Sequence, residues 1–69
     1  MPLSMANAGE TLYIKRVGGM EETKKFLEKL GFVTGAAVKV ITENGGNIIV
    51  QVKESRVAVS RELANKILV

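Results

Sequence analysis

Sixty-nine residues, 46% of them apolar and 25% charged, suffice for one small domain with a modest core. Cysteine and histidine are absent and all seven acidic residues are glutamates, which excludes Ser-His-Asp and Cys-His catalysis, zinc sites built on Cys or His, and EF-hands. The net charge of +3 permits an anionic partner without demanding one, because the basic residues are scattered from Lys15 to Lys66.

Met1 to Asn7 lacks the basic stretch and apolar run of a signal peptide, and no segment approaches the length of a membrane span. A cytoplasmic domain without membrane insertion is expected. Thr11 to Val17 then reads as a strand, with Leu12 and Ile14 on one face and Tyr13 and Lys15 on the other. Gly18-Gly19 breaks it. Met20 to Leu30 reads as a helix, with Met20, Thr23, Leu27 and Leu30 forming one apolar stripe. Glu21 and Glu22 in its first turn and Lys29 in its last complement the helix dipole, and Glu21 to Lys25 has the favourable spacing for an ion pair. Gly31 stands where a left-handed cap is expected.

Three strands follow: Ala37 to Glu43, Ile48 to Lys53 and Arg56 to Val59. Val38, Val40 and Thr42 share a face of the first; Ile48, Val50 and Val52 share a face of the second. Asn44-Gly45-Gly46-Asn47 and Glu54-Ser55 supply the turns. Ser60 caps one helical turn through Ala64, and Ile67 to Val69 is a last strand free to pair back on the first.

These elements predict a mainly β fold: a small five-stranded SH3-like barrel spanning 1–69, with one α-helix after the first strand and a short helical turn before the last. The expected core is Leu12, Ile14, Leu27, Leu30, Val38, Val40, Ile48, Val50, Val57, Val59 and Ile67. Ile14 and Val17 have opposite parity, so burying both requires a bulge or bend between them.

The most specific segment is Leu27 to Gly35: a helix end, a glycine cap, an apolar residue folding back and a second glycine opening a strand. No Lys-Ser or Lys-Thr pair and no helix follow it, so it is no phosphate loop. Four stretches in order resemble the FeoA family, the small SH3-like component of ferrous iron uptake. They are Leu3-Ser4 with Gly9-Glu10; Ile14 through Val17 to Gly18-Gly19; Leu27, Leu30-Gly31-Phe32 and Gly35; and Val57-Ala58-Val59 with Glu62, Ala64, Ile67 and Val69. The chain departs from that pattern at Thr34, Phe26 and Glu54-Ser55.

The resemblance implies a non-enzymatic cytoplasmic accessory, without a cofactor, that binds and modulates an FeoB-type membrane ferrous iron transporter. Leu27, Leu30, Gly31 and Gly35 are its structural motif. Phe26, at the margin of the helical stripe, is either core or the anchor of a partner-binding patch formed with Phe32 and Val33 and rimmed by Lys25 and Lys29. Two alternatives remain. Lys15, Lys39 and Lys53 with Tyr13 on an outward barrel face would suit single-stranded nucleic acid, although no nucleic-acid partner is expected with so few stacking aromatics. A weak metal sensor would draw on Glu21, Glu22 and Glu28; neighbouring helical residues diverge and no histidine completes a ligand set, so no tight metal site is expected.

Overall fold

A computed structural model describes residues 1–69. Thr11–Tyr13 (β1) and Arg16–Val17 (β2) precede a helix at Glu21–Leu30 (α1). The meander Ala37–Asn44 (β3), Asn47–Val52 (β4) and Ser55–Ser60 (β5) follows, then a helical turn at Arg61–Ala64 (α2) and a final strand at Ile67–Leu68 (β6). Strands β1-β3-β4-β5 form one antiparallel sheet, and β2 pairs with β6 in a second.

The expected first strand is therefore divided, and the bend required by the parity of Ile14 and Val17 lies at Ile14-Lys15. The Ile14 N–H still donates to the Ala36 carbonyl at 3.0 Å, whereas the next N–H, of Lys15, donates to Leu68 at 2.7 Å. One chain segment thus passes from one sheet to the other within two residues. Ile14, at the crossing, is 2% exposed. The expected return of the last strand onto the first is the β2–β6 pair, with Arg16 opposite Leu68 and Val17 opposite Ile67.

The core unites Ile14, Leu27, Val38, Val40, Ile48, Val50, Val59 and Ile67, as the periodicity requires, with Leu3, Phe32, Val52, Ala64 and Val69. Leu12, Leu30 and Val57, expected inside, lie half-buried against it. Met20 does not extend the helical stripe. It stands in extended conformation just before α1 and is 75% exposed. Leu3 enters the core from a short 3-10 turn, Leu3–Met5, that the sequence did not announce.

Gly45 and Gly46 have φ of +57° and +87°, the paired left-handed conformations that a two-residue hairpin with native twist requires. The next turn is Lys53-Glu54 rather than Glu54-Ser55: Ser55 already pairs with Val52, and Lys53 takes the left-handed φ of +56°. It is the one residue other than glycine to do so.

The register of β3 on β4 shifts between Val40 and Thr42, leaving Ile41 as the extra residue of a bulge. Thr42, expected to share the inner face with Val38 and Val40, is consequently exposed. Glu43 falls instead opposite Ile48, on the side where α2 packs. Both oxygens of its carboxylate accept from one guanidinium nitrogen, Nη2 of Arg61.

Candidate functional site

The C-terminal end of α1 is built on its glycine. The N–H of Gly31, at φ +107°, donates to Glu28, and the N–H of Phe32 donates to the Leu27 carbonyl at 3.0 Å. This is the paired-bond helix stop whose two apolar members flank the cap. Leu27 and Phe32 are both 0% exposed. Phe32 therefore belongs to the core and leaves the expected partner patch. The stop itself carried the signal, since the residue after a left-handed cap commonly folds back onto the last helical turn.

What remains outside is Phe26, 51% exposed, with Val33 at 37% beyond the cap and Lys25 and Lys29 in solvent on the same helix. Phe26 lies about 100° around the helix from Leu27, between the half-buried Leu30 and Thr23 on one side and Glu22 and Lys29 on the other. Glu21 pairs with Lys24 at 3.9 Å rather than with Lys25, which leaves the Lys25 ammonium without a carboxylate partner. Gly35 takes φ +88° and returns the chain to the sheet, its N–H donating to Ile14 at 2.7 Å. The Lys53 stem crosses Gly31: a methyl group added there would lie 3.5 Å from Lys53 Cδ and 3.4 Å from Val52 Cγ2.

The lysine face with Tyr13 does not assemble as expected. Lys39 stands in a cross-strand row between Thr11 and Gln51, with Arg56 beyond, on the outer face of the larger sheet. Lys15 has left that sheet for the β2–β6 pair, and Lys53 is in the turn. Tyr13, 65% exposed, stands opposite Ala37. No three carboxylates come close enough to share a metal ion, Glu21, Glu22 and Glu28 included. No helix is long and apolar enough to cross a membrane.

A family model described as the FeoA domain matches residues 1–69. The chain belongs to the FeoA family. A "Putative Fe(2+) transport protein A" from Methanocaldococcus jannaschii is 34% identical over 68 residues, which span 99% of this chain and 83% of that one. Among solved structures, an iron uptake regulatory protein (FeoA) superposes with a TM-score of 0.90 at 25% identity, covering 97% of this chain and 91% of its own. The FeoA of Stenotrophomonas maltophilia, described as a prokaryotic SH3 domain protein and solved with zinc, gives a TM-score of 0.87 at 24% identity over 99% and 87% of the two chains. The FeoA fold is thus SH3-like, as the order of strands and helices indicated.

Proposed function

We propose that this FeoA-family chain is a non-enzymatic cytoplasmic accessory of ferrous iron uptake that docks on an FeoB-type membrane transporter through α1 and the Gly31–Gly35 turn. The match of the FeoA model to residues 1–69 supports the place in iron transport. The observation that supports the surface is Phe26. A large aromatic half exposed on a helix whose core contacts are already made by Leu27 is surplus to the fold, and such side chains anchor interfaces. Val33 is a second exposed apolar side chain beyond the cap, and the ammonium groups of Lys25 and Lys29 share the helix surface with the Glu22 carboxylate, a charged rim of mixed sign. The chemistry is consistent with binding rather than turnover, since the chain offers neither a histidine nor a cysteine as base or nucleophile.

The test is capture of the full-length transporter from detergent-solubilised membranes by the immobilised domain. Wild-type domain should retain it, and the Phe26→Glu variant should lose it while keeping its circular dichroism and thermal midpoint. Capture that survives Phe26→Glu moves the docking surface elsewhere, with the sheet face around Tyr13 and Lys39 next. No capture by the wild type removes the proposed partner.

A further inference from the structure

We propose that Asn44 is a site of spontaneous deamidation, with the backbone nitrogen of Gly45 as nucleophile. In this reaction the Gly45 nitrogen attacks Cγ of the Asn44 carboxamide and a new C–N bond closes a five-membered succinimide. The bond from Cγ to the amide nitrogen breaks, and ammonia leaves with the proton given up by Gly45. Water then adds to one of the two ring carbonyls and opens it to aspartate or isoaspartate. Water is the sole co-reactant, and nothing is oxidised or reduced.

Both reacting groups are free. Asn44 is exposed, and its carboxamide makes no hydrogen bond within the chain. The N–H of Gly45 makes none either, because the bonds of the hairpin end belong to its neighbours: Asn44 pairs with Asn47, and the Gly46 carbonyl accepts from the Arg61 N–H at 3.1 Å. Gly45 has no side chain of its own to crowd its nitrogen, and no heavy atom beyond its chain neighbours lies within 4 Å of the place a side chain would occupy. Asn44 is also the last residue of β3, where opening of one terminal pair frees the backbone rotation the attack requires. The other asparagines lack this combination. Asn7, Asn47 and Asn65 are followed by Ala8, Ile48 and Lys66, whose side chains crowd the attacking nitrogen, and Asn65 Oδ1 is held by the Ser4 hydroxyl.

The modification has a structural consequence. Either product adds a negative charge beside Glu43, whose carboxylate already holds Arg61. Isoaspartate also lengthens the backbone inside a two-residue turn whose register, Asn44 opposite Asn47, has no slack. The Gly46–Arg61 bond that ties the hairpin tip to α2 is strained with it.

The experiment incubates the folded domain at mildly alkaline pH and maps its peptides by mass spectrometry and by isoaspartyl methyltransferase labelling. A synthetic peptide covering residues 41–49 is incubated beside it as the unstructured reference. Asn44 should convert first among the four asparagines, to a mixture of aspartate and isoaspartate, on the time scale of the peptide. Asn44→Gln should fold alike and lose the fast acidic charge variant. The proposal is overturned if Asn44 keeps its amide while the peptide converts. It is equally overturned if Asn7, Asn47 or Asn65 converts as fast as Asn44.

Discussion

Phe26 and Leu27 are consecutive on α1 and occupy opposite environments: the phenylalanine is 51% exposed, the leucine 0%. Leu27→Ala removes a buried side chain and should cost roughly 2–5 kcal/mol, enough to unfold so small a domain at moderate temperature. Phe26→Glu should leave the thermal midpoint nearly unchanged. Thermal denaturation of the two variants side by side checks this, and comparable losses would assign Phe26 to the core.

Gly31 and Gly35 both have left-handed φ, +107° and +88°, but differ in what surrounds them. An added methyl at Gly35 meets nothing within 4 Å, so Gly35→Ala should show the backbone penalty alone, about 1–2 kcal/mol. At Gly31 the same methyl would only touch Val52 Cγ2, at 3.4 Å, but φ +107° lies further than φ +88° from the left-handed minimum at about +57°. Gly31→Ala should therefore be the more destabilising in urea titration. Equal losses would mean that the two turns carry the same backbone strain.

Lys53, at φ +56°, carries a conformational cost that asparagine tolerates better. Lys53→Asn should raise stability by up to about 1 kcal/mol, which for a domain of this size corresponds to a few degrees in Tm. The gain is reduced by loss of the lysine stem from above Gly31. A fall in Tm would show that this packing outweighs the backbone strain.

Ser60 starts α2 by accepting a hydrogen bond from the Leu63 N–H at 3.2 Å. Ser60→Ala should cost about 0.5–2 kcal/mol, whereas Ser60→Asp should restore most of it. Chemical denaturation of both variants distinguishes a cap from an incidental contact, since an incidental contact predicts no recovery with aspartate.

Much of this molecule is legible in its sequence because local rules govern it. The inner faces of β3 and β4 follow from the alternation Val38-Lys39-Val40 and Ile48-Ile49-Val50, and α1 follows from its charges and its glycine cap. The structure departs from the local pattern where a single residue changes parity or phase. Ile41 as a bulge turned Thr42 outward, and no propensity marks that position. Met20 fits the helical spacing but precedes the first helical turn, so its place on the stripe was arithmetical only. The left-handed turn at Lys53 has no mark in the sequence, because a lysine does not advertise one; what requires it is the pairing of Val52 with Ser55. The candidate site was legible in part. Phe26 stands on the surface as one of the two readings had it, while Phe32 was drawn inside by the Leu27 carbonyl.

Arg16 opposite Leu68 and Val17 opposite Ile67 join segments from the two ends of the sequence, whereas β3, β4 and β5 are linked by turns of two residues. The loop-closure entropy of the first pairing is offset only after the meander exists to hold β1 and α2 in place. The meander should then nucleate folding, and the β2–β6 clasp should form last and open first. In native-state hydrogen exchange the Gly18 amide, bonded to the Lys66 carbonyl at 2.7 Å, should exchange through partial opening, while amides of Val50 and Val57 should wait for global unfolding.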